Sequence, residues 1–176
     1  MMVGAGIPIT SRKEVTMERV NNILAHPLFL RHMEQNEAAE QDRIFCRHDM
    51  GHLLDVARIA MILNLEEGLG LEKEILYGAA LLHDIGRHEQ YENGTPHEEA
   101  GARIAPAILE ECGYNEKETD VIVRAIRMHR TKTVAENADL SGVLYRADKM
   151  SRPCFYCKEE SACNWGEEKK NRKISL

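Results

Sequence analysis

Apolar side chains in this chain recur at intervals of three and four residues, which is the period of an α-helix. The clearest case runs from about Arg47 to Leu65, where one helix face would carry His52, Val56, Ile59, Ala60 and Leu63. No segment alternates between apolar and polar residues as a half-buried strand would. Only 5% of the residues are aromatic, and a low aromatic content disfavours sheets. The sequence therefore predicts an all-α bundle.

Capping residues and turn formers divide the chain into successive helices. Ser11-x-x-Glu14 predicts a capping box that opens a first helix, and Pro27 separates it from a second helix that ends near Gln41. Thr95-Pro96-His97-Glu98 predicts another helix start, with Thr95 as N-cap and Pro96 as first helical residue. Further helices are predicted over 72–83, 116–128 and 140–150.

Length and charge limit the domain count and the classes of partner. A chain of 176 residues suits one domain, which we predict over 1–150 as a helical bundle, with 151–176 as a cysteine-rich appendage. The net charge of −6 argues against general nucleic-acid or membrane binding. It permits a phosphorylated substrate if divalent metals are bound. Residues 1–9 lack the features of a signal peptide, so we expect a cytoplasmic protein and leave a homodimer open.

The segment Leu81-Leu82-His83-Asp84-Ile85-Gly86 places a histidine and an aspartate side by side at the end of an apolar run. Neighbouring residues of a regular helix point about 100° apart, so the pair cannot face one ion from within the helix. At a helix end that precedes a glycine, both side chains can turn toward one point. The pair is therefore a candidate metal site.

Other potential ligands come from separate predicted helices: His52, His97, His129 and Asp148. Metal sites in bundle cores are built this way, from side chains on facing helices. Nitrogen and oxygen ligands without cysteine suit Mn, Fe, Co, Ni or Zn. Six candidates exceed the needs of one ion and favour two. Taken singly, each residue also has a plain alternative, such as a histidine that interacts with a helix dipole.

The ordered series His52, His83-Asp84, His97, His129, Asp148 resembles the HD-domain superfamily of metal-dependent phosphohydrolases, in its two-metal subtype. The segments 52–57, 81–86 and 145–149 are similar to its motifs, and the resemblance covers roughly 45–150. It implies an HD-domain-like helical bundle. It also implies that His52, His83, Asp84 and Asp148 hold one metal, and that His97 and His129 hold a second, with Asp84 bridging.

The resemblance further implies a water, activated by the metals, that attacks the phosphoester of a small phosphorylated metabolite, with a nucleotide as the leading candidate. Arg87 and Lys149 are candidate catalytic contacts to phosphate, and Arg127 or Arg130 could add to them. Two alternatives stay open: a mixed-valent di-iron oxygenase, which relatives with the same ligands exemplify, and a non-enzymatic signalling module.

Three further histidines need an assignment. His48 precedes His52 by one helical turn, so spacing alone allows either as the ligand, and the match of Val56-Ala57 to the family favours His52. We expect His88 at the surface of a loop and His26 in a structural role.

The last cysteines form a second candidate site. Cys154 and Cys157 have the spacing of a metal knuckle, and Cys163 could supply a third thiolate. A fourth ligand would have to be Cys46 or Cys112. The alternative is a set of reduced thiols in a flexible tail, or a Cys154–Cys157 disulfide formed on oxidation.

Overall fold

The computed structural model describes residues 16–175, which contain α-helices and 3₁₀ turns but no β-strand. This confirms the predicted all-α fold. The α-helices of this range are α1 Glu18–Ala25, α2 Pro27–Ala39, α3 Met50–Glu66, α4 Lys73–Leu82, α5 Arg87–Glu92, α6 His97–Glu111, α7 Glu116–Met128 and α8 Leu140–Met150. No helix among the described residues is both long and apolar enough to cross a membrane.

Local capping explains why several helices begin where they do. Asn115 and Glu118 form a reciprocal capping box at the start of α7, and Asp139 caps α8 by accepting a hydrogen bond from the backbone N–H of Gly142. Both helices have the predicted bounds. The capping box predicted at Ser11 and Glu14 lies outside the described residues.

The predicted start of α6 is wrong by one residue. Pro96 is the N-cap, and no side chain caps the helix. The hydroxyl of Thr95 donates instead to Oδ1 of Asn93, 2.6 Å away. A local turn therefore uses the group that would have capped the helix.

The expectation that His88 lies on a loop surface is also wrong. His88 is buried in α5, and its Nε2 lies 2.9 Å from Nδ1 of His32 on α2. A helix of six residues is too short to show a clear apolar period, so no helix could be predicted there from the sequence.

Helix α4 occupies the centre of the bundle and packs against α1, α3, α6, α7 and α8. Its second half is buried all round, with Leu76 and every residue from Gly78 to Leu82 inaccessible to solvent. A helix that is apolar on every side has to be surrounded by others. The His-Asp pair therefore follows the most enclosed helix of the fold.

Gly86, which lies two residues after Asp84, is packed directly against α6. A Cβ atom at Gly86 would lie 2.5 Å from Cβ of Ala100 and 2.6 Å from the backbone N of Gly101. We expect Gly86→Ala to lower the free energy of unfolding by about 1–3 kcal/mol, because helix backbone cannot move aside cheaply. Urea denaturation measures this loss.

Gly51→Ala is the control for that substitution. Gly51 is exposed near the start of α3, and an added Cβ would meet only the side chain of Asp49, at 3.1 Å. We expect a change below about 1 kcal/mol, since alanine is the better helix former. Equal losses in the two variants would contradict the close packing at Gly86.

The chain beyond α8 forms the predicted cysteine-rich appendage. Its elements are three 3₁₀ turns, at Cys154–Tyr156, Glu160–Ala162 and Glu167–Lys169. No residue from 151 to 175 is buried. Polar contacts hold the segment in place: Asn171 donates to the backbone carbonyls of Lys149, Met150 and Arg152. The division of the chain at residue 150 stays a prediction.

Candidate metal centre

All six predicted ligands converge beside the C-terminal end of α4. The HD pair follows that helix directly, with His83 as its C-cap. The other four come from the first turn of α3, the first residue of α6, the C-cap of α7 and the last turn of α8, as His52, His97, His129 and Asp148. At a helix end the backbone leaves the regular helical path. Side chains there can therefore turn toward a common point.

The first donor group contains His52, His83 and Asp84. Nε2 of His83 lies 3.0 Å from Oδ2 of Asp84 and 3.3 Å from Nε2 of His52. Asp148 borders this group, with Oδ1 3.6 Å from Nε2 of His52. Ligand atoms about 2.0–2.1 Å from one ion are separated by about 2.8–3.4 Å in octahedral or tetrahedral geometry. The spacing therefore suits one cation.

The second donor group contains Asp84, His97 and His129. Nε2 of His97 lies 3.1 Å from Oδ1 of Asp84 and 3.1 Å from Nε2 of His129. All three residues are buried. Nε2 of His129 lies 3.8 Å from Oδ1 of Asp84, so this group is slightly wider than the first, with which it shares only Asp84.

The two carboxylate oxygens of Asp84 therefore face different donor groups. Burial raises the pKa of Asp84, but nearby histidines, His83 foremost, hold it well below its usual range, so the carboxyl is ionised. Its Oδ1 is buried without a hydrogen-bond partner among the described residues. An ionised oxygen in that position is costly unless a cation pairs with it. The donor set thus fits two metal ions bridged by one carboxylate.

Backbone carbonyls orient two of the imidazole rings. Nδ1 of His83 lies 2.7 Å from the carbonyl oxygen of Ala80, and Nδ1 of His129 lies 2.5 Å from that of Ile126. A carbonyl can only accept, so Nδ1 carries the proton and donates it. Each Nε2 is then left free as a metal ligand, as in other histidine-metal sites.

The three buried histidines of the donor groups differ in charge. Burial lowers the pKa of His97 to about 2 and that of His129 to about 4, so both are neutral, the form that binds metal. Burial also lowers the pKa of His83, but the charge of Asp84 outweighs it and raises the value to about 9. A metal ion at the first group would therefore replace a proton on His83.

Comparisons with known proteins agree with this geometry. The sequence model of the HD domain family matches residues 50–152. The chain belongs to the HD domain family. A Clostridium beijerinckii protein described as uncharacterized is 49% identical over 158 residues, which cover 90% of this chain and 99% of that protein.

Two further relatives carry a named activity. The crystal structure of a predicted HD superfamily hydrolase from an uncultured Thermotogales bacterium superposes with a TM-score of 0.58 at 25% identity, over 86% of each chain. Ribonuclease Y of Enterococcus faecalis is 30% identical over 116 residues, which are 66% of this chain but only 20% of that enzyme. The chain thus spans about a fifth of Ribonuclease Y.

His52, rather than His48, enters the first donor group of this HD domain. His48 precedes α3 instead of sharing its face, because Asp49 caps the helix. Its Nδ1 lies 2.5 Å from Oε1 of Glu40, and its Nε2 approaches Oδ2 of Asp84 only to 3.9 Å. His48 therefore borders the site without joining either donor group.

We expect His52→Ala to weaken metal binding at the first group more than His48→Ala. Loss of an outer partner typically weakens metal affinity ~10–100-fold, and His48→Ala should stay within that range. Loss of the direct ligand His52 should weaken the affinity by more. Titration of each metal-free variant with Co²⁺ measures the difference. The reverse order would make His48, rather than His52, the ligand.

The basic side chains predicted to contact phosphate fall into two sets. Nη1 of Arg87 lies 2.6 Å from Nδ1 of His97, and Nζ of Lys149 pairs with Oδ2 of Asp148, so both border the donor groups. Arg127 and Arg130 are about half exposed and pair with glutamates of α6. The structure does not bring this second set to the metal centre.

Glu40 is a site residue that the sequence did not reveal. Its carboxylate is buried, and the Tyr91 hydroxyl donates to it over 2.7 Å. Burial raises the pKa of Glu40, but hydrogen bonds from His48 outweigh this and lower it to about 2. An open cavity of about 240 Å³ lies beside it, lined by Glu37, Glu40, Arg47, His48 and Asp49. Only the folded chain brings these residues together.

The tail cysteines do not form a compact donor group. Within residues 16–175, the sets of three or more donor atoms within 4.8 Å of one another are the two described above. Desolvation raises the pKa of Cys46, and the nearby charges of Cys154 and Cys157 raise it further. A metal at Cys154, Cys157 and Cys163 stays a prediction.

Proposed function

We propose that this HD domain is a phosphohydrolase that cleaves a phosphoester of a small phosphorylated metabolite, with a nucleotide as the leading candidate. The observation that carries the proposal is the division of the Asp84 carboxylate between two donor groups. Family membership and the likeness to an HD superfamily hydrolase support a metal-dependent hydrolase in general terms.

In this proposal His52, His83 and Asp148 hold one ion, His97 and His129 hold the other, and Asp84 binds both. Divalent ions so placed supply Lewis-acid chemistry, which acidifies a water molecule and offsets the charge of a phosphoryl group. The protein fixes the ligands by burial and by the hydrogen bonds to Nδ1 of His83 and His129. Little rearrangement is then needed when substrate binds.

Arg87 is suited to bind a phosphoryl oxygen once His97 is a ligand. Ligation through Nε2 puts the ring proton on Nδ1, and Oε1 of Gln90, 2.6 Å away, can accept it. Arg87 can donate to Nδ1 only in the opposite tautomer. Its guanidinium would then be free to turn from His97 toward the substrate. In the structure its Nε lies 3.7 Å from Oε1 of Glu40.

Lys149 borders the first donor group beside Asp148. Its ammonium pairs with Asp148 and lies 3.4 Å from the carbonyl oxygen of His129. About a third of the side chain is exposed, so it can reach a phosphoryl oxygen without being desolvated. The cavity beside Glu40 and His48 offers room for the remainder of a small metabolite.

The test is a metal analysis followed by a panel of phosphoesters. We expect about two metal ions per chain, and release of phosphate or nucleotide under anaerobic conditions with Mn, Fe, Co, Ni or Zn. The panel includes nucleotide diesters because one relative is named a ribonuclease. EDTA should abolish the release. A fully loaded protein that hydrolyses nothing contradicts the proposal, and an oxygen-dependent product in the iron form would indicate an oxygenase.

A further inference from the structure

Asp84 lies on a turn rather than in a helix. Helix α4 ends at Leu82, and α5 begins at Arg87, so helical geometry does not fix the direction of the Asp84 side chain. Gly86 closes one side of the turn against α6. Within the turn, the backbone N–H of Arg87 donates to the carbonyl of Asp84 over 3.0 Å, and a side chain from another helix reaches the same carbonyl.

The side chain of Asn36 makes that contact. Asn36 lies on α2 and is only 2% exposed. Its Nδ2 donates to the backbone carbonyl of Asp84 over 3.0 Å, and its Oδ1 accepts from the backbone N–H of His88 over 2.7 Å. One amide group thus binds both ends of the turn, and both hydrogen bonds are buried.

We infer that Asn36 is a positioning residue that sets the direction of the Asp84 carboxylate through the backbone of the 84–88 turn. The two Asp84 oxygens face different donor groups, so a rotation of this turn would disturb both at once. The inference rests on the metal ligands of the proposed function but not on hydrolysis.

Asn64 offers a matched control. It lies at the end of α3, is 4% exposed, and clamps the loop before α4 in the same manner. Its Nδ2 donates to the Leu71 carbonyl over 3.0 Å, and its Oδ1 accepts from the Leu71 N–H over 2.9 Å. It stands twelve residues beyond His52 on α3, or about 18 Å along the helix axis. Loss of Asn64 should cost stability without touching the metal centre.

The experiment compares Asn36→Ala and Asn36→Leu with Asn64→Ala and Asn64→Leu. The leucine variants keep most of the side-chain volume, so they separate hydrogen bonding from a cavity. Metal-free proteins are titrated with Co²⁺ and followed by visible absorption, and Tm is measured by circular dichroism. We expect similar losses of Tm at the two positions. Co²⁺ affinity should fall about 10–100-fold at both metal sites in the Asn36 variants alone.

Several outcomes would overturn the inference. Asn36 variants that bind Co²⁺ as tightly as the Asn64 variants do would leave Asn36 with a structural role only. Asn36 would also have a structural role only if its loss weakened one metal site alone, or if both Asn36 variants failed to fold while the Asn64 variants folded. A wild-type protein that binds no Co²⁺ would overturn it too. A protein that binds two ions but hydrolyses nothing would refute the proposed function and leave this inference standing.

Discussion

An Asp84→Ala variant is expected to lose both metal ions and all hydrolysis while it keeps its helical fold. Each donor group depends on one oxygen of this carboxylate, and removal leaves each ion with fewer ligands. The activity loss should exceed the ~100-fold that is typical for an outer partner of a metal ligand. The fold should survive, because the backbone carbonyl of Asp84 keeps its hydrogen bond from Asn36. Metal analysis, phosphoester turnover and far-ultraviolet circular dichroism measure the three effects.

Asp139→Ala is the control for this variant. Asp139 caps α8, which also carries Asp148, but its carboxylate takes no part in either donor group. Loss of the cap should cost about 1 kcal/mol of stability, with metal content unchanged. An Asp84→Ala protein that retains two ions, or that turns over substrate without metal, would remove Asp84 from its assigned position.

The long helices could be predicted because each carries its own period and caps. For α7, the capping box of Asn115 and Glu118 is a local feature, and the predicted bounds coincide with those found. The short helix α5 could not be predicted in this way. His88 is buried because it packs against His32, 56 residues earlier in the chain, and local sequence carries no record of such a pairing.

The meeting of the six candidate ligands could be expected from their order along the chain, and the family resemblance also implied that Asp84 lies between two groups; the contacts that hold Asp84 there could not be expected. The order of histidines and aspartates along the chain indicated which residues would meet, and the structure brings all six together. The direction of the Asp84 side chain depends on the 84–88 turn, which a hydrogen bond from Asn36 and the packing of Gly86 against α6 hold in place. The prediction that His48 and His52 share a helix face was wrong for a local reason. Asp49 is the N-cap of α3, so His48 lies before the helix begins.

Replacement of either His97 or His129 with alanine is expected to lower the metal content from about two ions per chain to about one. These two histidines complete only the second donor group, so the ion at His52, His83 and Asp84 should remain. Both rings are buried and neutral, which means that their loss leaves no charge to be compensated by other groups. Hydrolysis should fall sharply, since the second ion would no longer help to acidify the water or to offset the charge of the phosphoryl group.

His26→Ala provides the matched control, because His26 is a buried histidine that belongs to neither donor group. It caps α2 through its Nδ1 and contacts Glu111 through its Nε2. Its loss should lower Tm and leave two ions bound. A wild-type protein with one ion, or His97→Ala and His129→Ala proteins that each keep two, would refute the second metal site. These histidines would then contact substrate or support the fold, and hydrolysis would have to proceed with the first ion alone.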